Sequence, residues 1–387
     1  MTIKSNLKSG IMKDSLNVGI IGLQFMGRAH TNAWIDVPYY FDLPFQPILK
    51  VACDKIEDRG SLFADKYGWK ETETDWRSVV NRDDIHIIDI CTSNQSHMPI
   101  AIEAAKKGKH ILCEKPIAIN AKDARRMLDA VREANVRHMM GFNYRRVPAI
   151  MLARIMIEEG KLGEINHFNA VYYQDWLVDP TFPFVWRHDS KEAGSGAHGD
   201  MNAHTVDLAR YLLGEFEAVC GEEKIFVKER PVAGTDKMAE VTADDSVTFI
   251  ARFRSGANGT FMATRFATGR KNYLRLEIFG SRGSFIFNLE RLNELDYYSQ
   301  EDDQYEQGFK NIIVTEGCHP YLEKWWPPGH IIGWEHTFIH EVADLVSAIG
   351  KNENVTPDFY DGLRSQQVLD AVIQSAREEK WITIPEE

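Results

Sequence analysis

The sequence predicts an α/β protein. A doubly wound parallel sheet comes first, and an α+β part with a large, mostly antiparallel sheet follows it. Three observations carry this prediction. Short apolar runs alternate with helical patterns from residue 16 to 147. A glycine-containing turn joins the first apolar run to the first helix. Beyond Pro148 the texture changes to runs of alternating polarity that turn at glycines.

Taken in order, NVGIIGL, ILKVACD, IHIIDICT, HILCEKP and RHMMGFNY read as strands. Between them lie helical stretches such as RGSLFADKYG, HMPIAIEAAKKG and AKDARRMLDAVREAN. Nearly continuous apolar strands separated by helices indicate parallel strands covered on both faces. The helix AIMLARIMIEEG then leads to NHFNAVYYQDW and to a helix near 200–213. After it, DSVTFIARF, GTFMATRFA, YLRLEIFG and GSFIFNL alternate, which suits a sheet with one packed face. YDGLRSQQVLDAVIQSAREEK is read as a closing helix. The division predicted is a flexible polar tail over 1–15, a dinucleotide-binding domain over 16–147, and a substrate-binding and oligomerisation domain over 148–387.

At 387 residues the chain is long enough for two cores. With 45 basic against 57 acidic side chains, net −12, and no basic block, nucleic acid and anionic membrane surfaces are excluded as partners. No apolar run is long enough to span a bilayer, and the first fifteen residues lack the apolar core of a signal peptide. The five cysteines form no C-x-x-C pair, and three sit in apolar strands as small buried hydrophobes. A cytoplasmic protein is expected.

The turn reads Gly22-Leu-Gln-Phe-Met-Gly27, whereas a dinucleotide-binding turn has a third, middle glycine. The first glycine permits the tight turn, the last permits close helix–strand packing, and the middle one lets backbone approach the pyrophosphate. Gly22 and Gly27 keep the outer roles; Gln24 costs roughly 1 kcal/mol if its φ must be positive. A turn with two glycines and no ligand is the plain alternative, but this one follows a strand and opens a helix, whose N-terminus attracts phosphate. The second strand ends in Asp54, placed to accept from the adenosine ribose hydroxyls and to repel a 2′-phosphate. NAD is therefore the expected cofactor, with Lys55 and Arg59 keeping NADP as the alternative.

Four later stretches occur in order at the ends of successive elements: CTSNQSH (91–97), CEKP (113–116), GFNYRR (141–146) and GDMNAHTVDLARYLLG (199–214). Together they resemble the Gfo/Idh/MocA family of NAD(P)-dependent oxidoreductases, built on a Rossmann domain. The stretches YYQDWLVDP, WRHDSKEAGSGAHGD, ATRFATGRKNYLRLEIFG and HPYLEKWWPPG look like its levoglucosan dehydrogenase and glycoside 3-dehydrogenase branch. The resemblance implies that Phe25 and Met26 offer backbone amides to the pyrophosphate. It places Thr92, Asn94 and His97 along the cofactor, Glu114 near the nicotinamide ribose, and Asn143 and Arg145 at the nicotinamide end. It also has Lys115 reaching both ribose and substrate, with Trp186 and Arg187 closing over that region. Gln24 and Ser93 depart from the family pattern.

Oxidising a secondary alcohol needs a base, a stabiliser of the developing alkoxide, and a hydride acceptor. Asp200 and His204 are four apart, so on a regular helix they share a face, and the carboxylate can orient the imidazole. Histidine suits proton transfer near neutrality. Lys115 ends a parallel strand, where such sheets bind ligands, and its ammonium suits an alkoxide. The roles expected are His204 as base, Lys115 as electrostatic partner and Asp200 as orienter. An ordinary helix-face pair, or a His198/Asp200/His204 metal cluster lacking further ligands, are the competing readings; no metal is expected.

Aromatic faces beside polar edges suit a sugar, which presents C–H faces and hydroxyls. Candidates are Tyr172, Tyr173, Trp176, Trp186, Trp325 and Trp326, with Gln174, Asp175, Arg187 and His319. At least half of such aromatics belong to a core; Trp176, Trp186 and Arg187 are singled out for substrate. The reading is an NAD-dependent sugar dehydrogenase, by resemblance acting at C3 of a glucose-like sugar, anhydrosugar or glycoside. Its rivals are a redox-neutral lyase or hydrolase working through transient C3 oxidation, an inositol or aldose 1-dehydrogenase, and a nucleotide-binding regulator without turnover. A homo-oligomer, dimer or tetramer, is expected from the apolar sheet face.

Overall fold

The computed structural model describes residues 14–386. The tail predicted over 1–15 therefore lies outside the described residues as far as 13, and Ser15 already opens the first strand. Strands and helices alternate through β1 (Ser15–Ile21), α1 (Phe25–Tyr40), β2 (Gln46–Cys53), α2 (Glu57–Tyr67), β3 (Glu71–Glu73), α3 (Trp76–Val80), β4 (Ile87–Ile90), α4 (His97–Lys106), β5 (His110–Glu114), α5 (Ala121–Ala134) and β6 (His138–Gly141). The six strands run parallel in the order β3-β2-β1-β4-β5-β6. The order reverses between β1 and β4, and ligands of such sheets bind beyond the carboxyl ends there. All four residues of β4 are buried, as its apolar composition requires.

The chain continues with α6 (Pro148–Glu158), β7 (Ile165–Tyr173), a short α7 (Ser190–Ala193), α8 (Ala203–Leu213) and β8 (Phe216–Lys224). The small hairpin β9 (Glu229–Pro231) and β10 (Met238–Glu240) precedes β11 (Ser246–Phe253), β12 (Asn258–Thr264), β13 (Tyr273–Gly280), β14 (Gly283–Asn288), β15 (Glu294–Ser299) and β16 (Lys310–Ile313). Last come α9 (Trp334–Lys351), α10 (Phe359–Glu378) and β17 (Ile382–Thr383). Nine strands form the second sheet, in the order β16-β15-β14-β13-β7-β12-β11-β8-β17, antiparallel except for the β7–β12 pair. Burial alternates along β11, so Val247, Phe249, Ala251 and Phe253 enter the core while Thr248, Ile250 and Arg252 face out.

One element departs from a simple succession of two units. Helix α9 returns to the first sheet and packs Phe338, Val342 and Val346 into the core that holds Leu16, Val18, Trp34 and Val37. That return brings the start of α9 to the cleft between the two sheets, where Trp334 and Phe338 join its lining.

Candidate active site

The glycine turn is shaped by contact distances. Gly22 has φ +97°, and a Cβ there would meet the Cys91 carbonyl oxygen at 2.5 Å. A Cβ at Gly27 would meet the Gly22 carbonyl oxygen at 2.1 Å. Both outer glycines are thus demanded by close packing. Gln24 is exposed with a negative φ of −82°, so the left-handed strain allowed for it does not arise. Among the described residues no side chain caps α1, which leaves its first amides open to a phosphate. Phe25 is largely exposed beside this terminus and stacks on Trp334, with centroids 5.5 Å apart.

Gly22, Gln24, Phe25, Met26, Asp54, Thr92, Asn94, Glu114 and Asn143 line one cleft of about 1010 Å³. It runs on to Lys115, Trp176, Trp186, Arg187, Asp200 and His204. Asp54 accepts from the Ile56 amide at 3.0 Å and pairs with Arg59 at 3.2 Å. The Thr92 hydroxyl is buried in the cleft wall without a partner among the described residues. A helix start without a side-chain cap, two turn glycines with no room for a Cβ and a buried hydroxyl aimed at the cleft together fit a bound dinucleotide.

Two residues expected at the cofactor face elsewhere. His97 is buried between the Pro116 carbonyl (Nδ1, 3.0 Å) and the Thr92 carbonyl (Nε2, 3.2 Å), so it shapes two cleft loops from behind. Arg145 donates twice to Asp207, at 2.8 and 2.6 Å, and once to Asp361 at 3.1 Å. This buried pairing ties the end of the first sheet to α8 and α10, away from the cleft. Each residue follows a cleft residue in sequence but points to the other side of the backbone.

At the centre, the Lys115 ammonium donates to the Asp200 carbonyl at 2.7 Å and to Asp200 Oδ1 at 3.0 Å. Arg265 donates to Asp200 Oδ2 at 2.9 Å and lies over the Trp176 ring at 5.3 Å. Burial works against the Asp200 charge, but Lys115, Arg265 and Arg187 together hold its pKa well below the usual range. The Asp200 carboxylate is thus engaged by Lys115 and Arg265, and among the described residues it makes no hydrogen bond to His204. A wide π-type turn over His198–Asn202 precedes α8, so Asp200 and His204 do not stand one regular turn apart.

His204 keeps a buried Nδ1 with no partner among the described residues, and its ring lies 4.4 Å from that of Tyr144. Burial, reinforced by the neighbouring Lys115 charge, lowers its pKa well below that of an ordinary histidine. The imidazole is therefore neutral and fit to receive a proton. A hydrogen-bonded wall stands beside it. Tyr144 donates to Tyr172 at 2.9 Å, and Tyr172 donates to Asn272 at 2.8 Å. Gln174 also donates to Asn272 at 2.9 Å and accepts from Trp176 at 2.9 Å. Arg187 stacks on Trp186 at 4.4 Å.

Sequence reasoning did not single out Arg265, Tyr144, Asn272, Trp334 or Phe338. Arg265 and Asn272 lie within a stretch that carried the branch resemblance; the aromatic pair at the start of α9 offered no signal. Trp325 and Trp326 do not reach the cleft. Trp325 packs on Tyr40 at 4.3 Å and donates to His340 at 2.8 Å. Tyr173, Asp175 and His319 are also outside the lining.

A doubly wound nucleotide domain, opening on a cleft with a lysine, an aspartate and a neutral histidine, defines a nicotinamide-dependent oxidoreductase. Residues 16–142 match the oxidoreductase family with an NAD-binding Rossmann fold, and residues 150–286 match the GFO/IDH/MocA C-terminal domain. The chain belongs to the Gfo/Idh/MocA family, and its cofactor is NAD. It is 42% identical to levoglucosan dehydrogenase of Pseudarthrobacter phenanthrenivorans, over 96% of this chain and 99% of that protein. Inositol 2-dehydrogenase of Rhizobium meliloti is 27% identical over 96% and 99% of the two chains. Among solved structures, an oxidoreductase domain protein from Kribbella flavida superposes with TM-score 0.94 at 48% identity, covering 96% and 100%. Levoglucosan dehydrogenase in complex with NADH and levoglucosan superposes with TM-score 0.93 at 42% identity, covering 96% and 100%.

Proposed function

We propose that this enzyme oxidises the C3 hydroxyl of a glucose-like ring, as an anhydrosugar, free sugar or glycoside, to the 3-keto sugar. At the coarser level it is an NAD-dependent sugar dehydrogenase. The observation that carries the proposal is the neutral His204 beside the Lys115–Asp200 pair, in the cleft that begins at the glycine turn. When bound, NAD accepts the hydride that leaves the carbinol carbon. His204 takes the hydroxyl proton, and Lys115 places its ammonium against the developing oxyanion. Asp200, fixed by Arg265, holds that ammonium in place. Trp176 and Trp186 supply faces for the sugar's C–H surface, while Arg187 meets its hydroxyls. The choice of C3 is supported by likeness to levoglucosan dehydrogenase. Deuterium placed at C3 of levoglucosan should appear in the reduced cofactor, and a 3-deoxy analogue should be inert. Transfer from C2 or C4 of levoglucosan, or from C1 of a free sugar, would overturn the assignment.

Nucleotide binding is assigned to 16–147 and substrate binding and assembly to 148–387, with α9 lending Trp334 and Phe338 to the nucleotide end. Phe25, Met26, Thr92, Asn94, Glu114 and Asn143 are assigned to the cofactor. Asp54 is assigned to the adenosine ribose. Asp54→Ser should weaken NAD and narrow its preference over NADP, since Arg59 would be freed for a 2′-phosphate. Unchanged selectivity in paired NAD and NADP kinetics would remove Asp54 from that role.

No described helix is long and apolar enough to cross a membrane. The five cysteines are free, three of them buried, which supports a reducing, cytoplasmic setting; recovery from culture medium on fractionation would count against it. The outer face of the second sheet, with Ile250 exposed and Val171, Met262 and Phe279 half-buried, is proposed to pack against a second copy. Light scattering showing monomer alone would defeat that assembly.

A further inference from the structure

Behind the nicotinamide end lies a charged cluster that the chemistry above does not use. His30 of α1 is wholly buried. Its Nδ1 is 2.8 Å from Asp89 Oδ1, and its Nε2 is 2.9 Å from Glu114 Oε1. Trp34 donates to the second Asp89 oxygen at 2.7 Å, and Cys91 lies 3.5 Å from Asp89. From α9, the Phe338 ring packs on His30 with centroids 5.4 Å apart. Glu341 enters from the same helix, with both carboxylate oxygens buried and without a partner among the described residues, near His30, Arg146 and Glu114.

His30, Asp89 and Cys91 have ligand atoms close enough to invite a metal. The 2.8 Å separation argues for a proton instead, because tetrahedral zinc at about 2.0–2.1 Å from each ligand sets them roughly 3.3 Å apart. An imidazole with an oxygen acceptor at each nitrogen satisfies both only when both nitrogens carry hydrogen. Burial opposes a charge on His30, but Asp89 and Cys91 outweigh it and raise its pKa well above the ordinary value. On Glu341, burial pushes the carboxyl well up and Glu114 adds to this, so it stands neutral and leaves the imidazolium to the other two carboxylates.

We propose that His30 is a positioning residue: an imidazolium locked between Asp89 and Glu114 that aims the Glu114 carboxylate at the nicotinamide ribose. Glu114 has little freedom of its own, since a Cβ on Gly141 would already lie 2.9 Å from its Oε1. Its second oxygen accepts from the Lys115 amide at 3.2 Å, so the segment carrying the catalytic lysine rests on the same carboxylate. The inference rests on the assignment of Glu114 to the cofactor.

The test needs no sugar. NADH affinity is measured by fluorescence from pH 6 to 9 in the parent, His30→Gln and Glu114→Gln. The parent should be nearly flat. In His30→Gln the Glu114 carboxylate loses its buried counter-charge, so NADH affinity should fall roughly tenfold between pH 9 and pH 6. Glu114→Gln should be weak and flat. Parallel profiles for the parent and His30→Gln would overturn the role, as would the same acid loss in Glu114→Gln. Glu114→Gln binding like the parent throughout would overturn the placement of Glu114 itself. Should His30→Gln fail to fold, ¹⁵N-histidine spectra of the intact protein decide. One of its 13 histidines should remain doubly protonated at pH 8.5, and none doing so would sink the proposal.

Discussion

Lys115→Ala is expected to lower turnover by about 10²–10³-fold while NADH still binds, the range set by losing one preorganised donor to an oxyanion. The ammonium is held at two points, by the Asp200 carbonyl at 2.7 Å and its carboxylate at 3.0 Å. It therefore needs no reorganisation when charge develops on the sugar oxygen. Removing it leaves Asp200 with Arg265 alone. Lys115→Arg should recover little, because a planar fork cannot occupy the position of a compact ammonium held by one residue. Asp200→Asn should act in the same direction, since Lys115 and Arg265 would then face a neutral amide. NADH binding by fluorescence and turnover by absorbance separate the two effects. Parallel loss of binding and turnover would mean that Lys115 serves the cofactor alone.

The sequence made the nucleotide half legible because its demands are local. Gly22 and Gly27 answer to distances within one strand–turn–helix unit, and Asp54 ends the adjacent strand. Lys115 and His204 were legible as chemistry. Their relation through Asp200 was not, because a spacing of four implies a shared face only on a regular helix, and the turn at His198–Asn202 is wide. His97 and Arg145 show a different limit: a motif fixes a position along the chain but not the side to which its residue points. Arg265 closes the site from a strand end; its stretch carried the branch resemblance, but nothing in it pointed this side chain at Asp200. Trp334 and Phe338 arrive because α9 packs its apolar stripe on α1, a pairing between distant segments that periodicity cannot specify. For the same reason the Trp325 loop, read as a pocket wall, instead covers Tyr40 and His340.

His204→Ala is expected to have the largest effect, lowering turnover by about 10²–10⁴-fold, the range for a positioned acid–base group. Its pH dependence distinguishes it from Lys115→Ala. A base must be neutral to accept a proton, and burial with the adjacent ammonium lowers the pKa of His204 well below its ordinary value. The imidazole thus stays competent as the pH falls through 6.5, where an ordinary histidine would be half protonated. The acid limb of kcat/KM should lie below 6.5 in the parent enzyme. In Lys115→Ala the second cause of the depression is gone, so that limb should move up toward neutrality while the remaining activity keeps its dependence on His204. In His204→Ala the limb should disappear, and what turnover remains should rise with hydroxide as solvent replaces the base. Rate profiles of the three proteins at saturating NAD read this directly. If His204→Ala kept near-normal turnover with an unchanged limb, the proton would have to leave through Lys115, and the histidine beside Tyr144 would be part of the wall rather than the base.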